Sequence, residues 1–505
     1  MKGVIAAGDK ITAQAGAKIL KEGGNAFDAA ICALLTAPLA EPALTSLGGG
    51  GFLTAFSEDK DPVVYDFFVD VPPKRLENPD FFPIYVDFGS AVQEFHIGAG
   101  SIAVAGMVGG IYEVWKERGK LPFYDIVSVA KEYAKEGIYL SRMQASLIKL
   151  LEPIFRATKE SERIYVKNGR LIDERELFKN EDYAEFLELF GKKGSDIFYK
   201  GEIADRLEEL SLKNEGIIAK EDLLRYEVKK REPIEFDFNG YKIVTNPPPS
   251  SGGILIAFTL ELLKELDLGE FGSLRHLISF IEAMKITSDF RNDHINEHLH
   301  NEKLKDILKD SHLIDGFRKS YKSRLNLWGN TTHISVIDGE YNAVSVTTTN
   351  GEGSGYVLPG CGIMLNNMLG EEDLNPHGFF KWPSYVRLPS MMSPTIVLKD
   401  DSPYLVLGSA GSNRIRSAVV SVILNYLSFH KDIKESVSLS RIHFERDEVF
   451  LEPGFKEEIV KEIKKRFKVS LFKEKNLFFG GVNAVNALFE GGADPRRGGA
   501  VMKVF

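Results

Sequence analysis

Apolar residues recur at three- and four-residue intervals through Lys10–Glu22 and stop at Gly23-Gly24, which predicts an amphipathic helix with a glycine end. A second helix is expected over Asn25–Ala40, opened by an Asn cap. Its run Ala29-Ala30-Ile31-Cys32-Ala33-Leu34-Leu35 is apolar on nearly every face, so this helix should be buried. The run Gly48-Gly49-Gly50-Gly51 before Phe52 calls for unusual backbone angles or close backbone packing. Helical patterns with charged outer faces follow at Leu121–Glu136, Asp182–Phe190 and Gly201–Asn214. Ile234–Thr245 alternates like a strand and runs into Pro247-Pro248-Pro249-Ser250-Ser251-Gly252-Gly253, a stiff turn before a helix over Ile254–Leu266.

Residues 297–328 are polar and weakly patterned, as expected of a surface segment near a boundary. After Asn330 the texture turns to strands. Thr331–Asp338 and Asn342–Thr349 are β-rich runs around Gly339-Glu340-Tyr341, a hairpin signal. Tyr404–Gly408 reads as a strand that passes through Ser409-Ala410-Gly411-Ser412 into a helix near Asn413. Strands inside and helices outside predict layered α/β architecture with antiparallel pairing.

The length of 505 residues suits two domains or one large composite unit. A net charge of −9 and the lack of a long basic run argue against a nucleic-acid partner. No apolar run reaches about 18 residues, so a membrane span is not expected. A cytoplasmic protein is expected, because the N-terminal apolar stretch is too short for a signal peptide. Cys32 and Cys361 sit among apolar neighbours and read as buried free thiols.

The candidate chemistry begins with a threonine. A threonine hydroxyl is a poor nucleophile unless a base takes its proton, and the residue's own α-amine can serve if the residue is a chain N-terminus. The α-amine's ordinary pKa of about 7.7–8.0 lets it act near neutrality. Such a site needs Thr, Ser or Cys opening a strand, an exposed loop before it, and backbone donors nearby for an oxyanion. Thr331 meets the first two conditions, and the turn at Gly408–Ser412 offers donors ahead of a helix.

The run Thr331-Thr332-His333-Ile334-Ser335-Val336-Ile337-Asp338, followed by Asn342-Ala343-Val344-Ser345-Val346-Thr347, resembles the start of the small subunit in the γ-glutamyltranspeptidase family. The resemblance extends to the glycine run before Phe52, Ala103-Val104-Ala105-Gly106, the Pro/Ser/Gly turn at 247–253, and Gly362-Ile363-Met364-Leu365-Asn366-Asn367. It continues in Met392-Ser393-Pro394-Thr395-Ile396-Val397 and Asp494-Pro495-Arg496, so it spans nearly the whole chain in family order. It implies a four-layer αββα fold of the N-terminal-nucleophile type, with two antiparallel sheets between helical layers. It also implies a precursor that cuts itself between Asn330 and Thr331, giving an interleaved large subunit 1–330 and small subunit 331–505. Thr331 would take an acyl group from a small-molecule amide and pass it to water or an amine. Thr349 would hydrogen-bond the nucleophile, and the Gly411 and Ser412 amides would form the oxyanion hole. The family usually has a second glycine where Ser412 stands. No cofactor or metal is implied, and a homo-oligomer is expected.

The substrate-binding positions depart from the family. Members acting on γ-glutamyl compounds grip an α-carboxylate with the arginine of an Asp-Phe-Arg-Glu stretch and with two consecutive serines. Here Asp66-Phe67-Phe68-Val69 puts Phe68 in place of that arginine, and Ser390-Met391 keeps one hydroxyl. After Asn366-Asn367 the residue is Met368, with Glu371, Glu372 and Asp373 beyond; Asn350, Asn367 and Glu371 complete the expected substrate contacts. An acyl pocket more apolar than in γ-glutamyl enzymes is therefore expected. The segment 374–386 takes the place of the family's lid loop, with aromatics that either cover the pocket or pack on the body.

Two rival readings remain open. His294-Ile295-Asn296-Glu297-His298 fits the His-x-x-Glu-His zinc-protease pattern, although no third ligand follows in a comparable context. An uncleaved, inactive relative of the family would keep the fold and serve a binding role.

Overall fold

The computed structural model describes residues 1–87, 92–296, 298–309 and 331–505. Local chemistry sets the first layer. Asp9 accepts the Ile11 N–H at 2.8 Å and starts helix Lys10–Lys21. Asn25 and Asp28 form a reciprocal capping box on helix Ala26–Ala40, satisfying two N–H groups that the helix itself cannot pair. That helix is buried along nearly its whole length, as its all-round apolar pattern requires. Cys32 and Cys361 are buried free thiols.

Among the described residues, seven strands form one antiparallel sheet. Its order is Lys229–Arg231, Lys60–Phe67, Gly50–Ser57, Ala343–Thr349, Thr332–Asp338, Gly3–Ala7 and Ala500–Val504. Six more form a second antiparallel sheet, ordered Ile234–Phe238, Tyr241–Thr245, Thr395–Lys399, Ser402–Ala410, Gly481–Asn486 and Gly491–Gly492. Val4, Ala6, Ile337, Val244, Ile396 and Val406 pack between the sheets. Helices Lys10–Lys21 and Ala26–Ala40 cover the outer face of the first sheet, with Phe123–Glu136 packed on Ala26–Ala40, and Gly252–Leu263 and Arg414–Ile423 cover the second, with Leu274–Phe290 packed on Gly252–Leu263. The result is a four-layer αββα sandwich. Segments from before and after residue 331 alternate within the first sheet, so neither could form it alone.

The single strand expected over Ile234–Thr245 is a hairpin. Asn239 and Gly240 both take positive φ, 53° and 80°, and reverse the chain between Ile234–Phe238 and Tyr241–Thr245. An Asn-Gly pair is the residue choice that such a two-residue turn requires. The glycine run resolves as close packing. A Cβ on Gly49 would lie 2.2 Å from the Thr349 carbonyl oxygen, and one on Gly51 2.5 Å from that of Thr347. These glycines let strand Gly50–Ser57 press against Ala343–Thr349. Among the described residues, no helix is long and apolar enough to cross a membrane.

Candidate active site

Thr331 immediately precedes strand Thr332–Asp338, in the middle of the first sheet. Strand alternation divides the side chains that follow. His333 and Ser335 face the second sheet: His333 Nδ1 meets the Thr347 hydroxyl at 2.8 Å, Nε2 meets that of Ser335 at 2.9 Å, and Ser335 donates to the Asn483 carbonyl at 3.0 Å. Burial pushes the His333 imidazole down to about 3, so it stays neutral and acts as a spacer between the sheets. Thr332 points the other way, and its hydroxyl donates to buried Glu41 at 2.5 Å. Glu41 also accepts from Thr12 at 2.8 Å. Burial, reinforced by nearby Asp9, pushes the Glu41 carboxyl up to about 7. The Thr331 carbonyl accepts from Arg497 Nη1 at 3.4 Å. The two residues that open the strand are thus held from behind by a carboxylic group and a guanidinium, neither part of the expected site.

Thr331 lines a cavity together with Thr349, Ser412, Phe68, Glu371, Ser390 and Met391. The strand register pairs Thr332 with Thr348, and one further step sets Thr331 opposite Thr349. Thr349 Oγ1 accepts the Gly351 N–H at 3.0 Å. Beyond strand Ser402–Ala410 the chain turns through Gly411 at φ 118° and Ser412 at φ 48° before helix Arg414–Ile423. Among the described residues, no acceptor takes the N–H of either residue. The left-handed angle at 412 accounts for a glycine preference there, and the Ser412 hydroxyl donates to the Asp373 carboxylate.

The remaining expected contacts divide. Phe68 is buried against Phe52, ring centroids 5.4 Å apart. Its backbone is fixed by Arg387, which donates to the Phe68 carbonyl at 2.8 Å and pairs with Asp66 at 3.1 Å. Ser251 donates to the Met391 sulfur at 3.0 Å and to the Ser390 carbonyl at 3.2 Å, so the turn at 247–253 packs directly on the 390–393 segment. Burial, with Glu352 and Asp373 beside it, raises the Glu371 carboxyl far above the usual carboxylate range.

Three expected substrate contacts, Asn350, Asn367 and Met368, lie outside the cavity lining. Met368 is in the hydrophobic core. Asn367 Oδ1 accepts from Glu352 and Gly353 N–H groups at 2.9 and 3.2 Å, and its amide donates to the His96 carbonyl at 3.2 Å, so it braces the loop. Asn350 Nδ2 reaches the Leu365 carbonyl at 3.5 Å. Of the lid-like segment, Leu374 and Pro376 line the cavity. Phe379 and Phe380 pack on Phe81, with centroids at 5.1 and 4.8 Å, and Trp382 donates to the Leu374 carbonyl at 2.9 Å. These aromatics pack on the body.

Arg291, Leu299 and Ile415, which belong to no motif, also line the cavity, as does Asn296 of the zinc pattern. Asn330 lies outside the described residues, as does Glu297 of the zinc pattern. His300 Nε2 meets the Arg387 carbonyl at 2.8 Å, and no group of described His, Cys, Asp and Glu residues is placed to hold a metal.

The four-layer αββα sandwich is the N-terminal-nucleophile hydrolase fold, which the protein shares with a cephalosporin acylase from Bacillus halodurans. That structure superposes with a TM-score of 0.86 at 24% identity, covering 99% of this chain and 95% of that one. The family model described as Gamma-glutamyltranspeptidase matches residues 12–504, and the chain belongs to that family. The glutathione hydrolase proenzyme of Escherichia coli is 30% identical, over 94% of this chain and 86% of that protein. The glutathione hydrolase proenzyme of Bacillus subtilis is 28% identical, over 99% and 91%. Membership places the chain among enzymes that hydrolyse or transfer across amide bonds.

Proposed function

We propose that the protein is a self-processing amide hydrolase and acyltransferase whose nucleophile is Thr331. In the precursor, the Thr331 hydroxyl attacks the Asn330 carbonyl carbon. The peptide C–N bond breaks, the nitrogen takes up the hydroxyl proton as the new α-amine, and an ester remains. Water hydrolyses that ester, leaving subunits 1–330 and 331–505. In the mature enzyme the α-amine accepts the hydroxyl proton as Oγ attacks a substrate amide. The tetrahedral oxyanion lies toward the Gly411 and Ser412 N–H groups. On collapse, the leaving amine departs with the proton and the acyl group stays on Thr331 as an ester. Water or a second amine then takes the acyl group and restores the hydroxyl.

The observation that carries this reading is the convergence of Thr331, Thr349 and Ser412 on one cavity, with two backbone donors unspent beside it. Where γ-glutamyl enzymes grip a carboxylate, this cavity presents Phe68 and Met391, so N-acyl amides lacking the full γ-glutamyl zwitterion fit it better. Substituting Thr331→Ala tests the reading. The wild type should run as two bands split before Thr331 and turn over an N-acyl p-nitroanilide, while the variant should stay one chain and turn over nothing. A variant that still splits or still turns over substrate contradicts it.

A further inference from the structure

One guanidinium reaches both Thr331 and the turn at 411–412 from behind. Arg497 ends the short turn Pro495–Arg497, just ahead of strand Ala500–Val504, and is buried. Its Nη1 donates to the Thr331 carbonyl at 3.4 Å and its Nη2 to the Leu477 carbonyl at 3.4 Å. A Cβ on Gly411 would lie 3.5 Å from Nη2, so the guanidinium packs on the turn that carries the two unspent N–H groups. Its stem fills the space beside Gly481, where a Cβ would come within 2.4 Å of Cδ. Among the described residues no carboxylate lies within 4.0 Å of the group, and its buried Nε has no acceptor.

The surroundings keep this charge and leave it uncancelled. Burial lowers the Arg497 guanidinium only to about 10, so it stays protonated at neutral pH. Asp494, on the same turn, is taken by Arg441 at 2.6 Å and Arg496 at 3.1 Å. Glu41 reaches the strand through Thr332, and burial with Asp9 beside it keeps that carboxyl neutral below about 7. His333, on the opposite face of the strand, is neutral as well. From the cavity side, Arg291 and Asp373 bring opposite charges, and burial favours the protonated form of Glu371. Arg414, on the helix after the turn, is paired with Glu445 at 3.5 Å. What remains is a positive charge hydrogen-bonded to the backbone of Thr331.

An amine must be unprotonated to take a proton, and an α-amine with the ordinary pKa of about 7.7–8.0 is mostly protonated at pH 7. A fixed cation nearby disfavours the ammonium form. Processing frees the α-amine on the same residue whose carbonyl Arg497 holds, on the other side of its Cα. We propose that Arg497 is a positioning residue that sets the Thr331 peptide against the 411–412 turn and, by its charge, holds the freed α-amine in the neutral, proton-accepting form. The inference rests on Thr331 as the nucleophile. It gives the base a partner outside the substrate cavity, on a segment that touches no part of the substrate.

The acid limb of kcat/KM against pH, measured on an N-acyl p-nitroanilide, tests this. In the processed wild type the limb should lie below about 7.7, and a limb at about 7.7–8.0 or higher overturns the proposal. Arg497→Met keeps bulk without charge and should move the limb up by about one pH unit or more. At about pH 6 its kcat/KM, relative to its own alkaline plateau, should then be about tenfold lower than in the wild type. Arg497→Lys keeps the charge and should hold the limb near the wild-type value, whatever its plateau. A methionine variant that loses plateau activity with its limb unmoved has lost packing alone, which overturns the electrostatic role. Glu41→Gln should retain the limb, and a limb that vanishes there belongs to that carboxyl and overturns the proposal too. If Arg497→Met fails to fold or to process, the wild-type limb and the Glu41→Gln profile still decide. A wild type that forms no acyl adduct on Thr331 brings down the nucleophile itself, whereas an adduct on Thr331 with an unmoved limb removes only the part given to Arg497.

Discussion

Glu41 offers a test of the scaffold behind the nucleophile. Its carboxyl is fully buried, accepts from Thr12 and Thr332, and is pushed up from the ordinary 4.5 to about 7. A folded-state pKa above the unfolded one means that between those values the native state binds the extra proton. Stability from this group is therefore complete below about pH 4.5 and is lost as pH rises through about 7. From 4.5 to about 7, at about 1.4 kcal/mol per pH unit, the loss is about 3 kcal/mol. Glu41→Gln removes the titration while keeping a polar group of the same shape. One hydroxyl must turn to accept from the new amide, which costs about 1 kcal/mol at all pH values. The variant should be slightly less stable than wild type at pH 5 and more stable by about 1–2 kcal/mol at pH 8, where the wild type holds an uncompensated buried charge. Urea midpoints of both proteins at the two pH values, compared at a shared m-value, measure the difference. If the gap between the two proteins stays constant within about 1 kcal/mol from pH 5 to pH 8, the reasoning about this carboxyl is refuted.

Two further substitutions probe the front of the site. Gly49→Ala places a Cβ 2.2 Å from the Thr349 carbonyl oxygen, which only a backbone shift can relieve. The variant should lose about 1–3 kcal/mol of stability and process more slowly, and a pulse-chase gel showing wild-type processing contradicts that. Ser412→Gly relieves the left-handed strain at φ 48° and frees Asp373, but keeps the backbone N–H. Its kcat should fall less than about tenfold, against the hundred- to thousandfold typical of a lost oxyanion donor, so a larger drop would give the hydroxyl itself a part in the chemistry.

The layers were legible because each depends on a local pattern. The all-round apolar run of Ala26–Ala40 and the β-rich runs around Gly339 carry their burial in their own residue order. The hairpin at Asn239-Gly240 was legible too, but apolar alternation continuing across the turn hid it within one apparent strand. The site divides along physical lines. Thr331, Thr349 and the 411–412 turn lie at strand ends, where register dictates position. Adjacent residues in the loop after Ile363–Met364 meet different fates: Asn367 turns back to brace 352–353, Met368 enters the core, and Glu371 lines the cavity. No residue pattern separates those orientations, because backbone amides elsewhere in the fold set them. Arg291 and Glu41 were invisible for the same reason. Each reaches the strand-end region from a separate segment, and only the packing of layers brings them there.

The central claim is that Thr331 carries the acyl group. Intact-mass and peptide mapping of the protein quenched during turnover of an N-acyl p-nitroanilide test it directly. The account predicts two polypeptides divided between Asn330 and Thr331, with the acyl mass on the N-terminal peptide of the smaller one. An undivided, unmodified chain, or an adduct on any other residue, would contradict it.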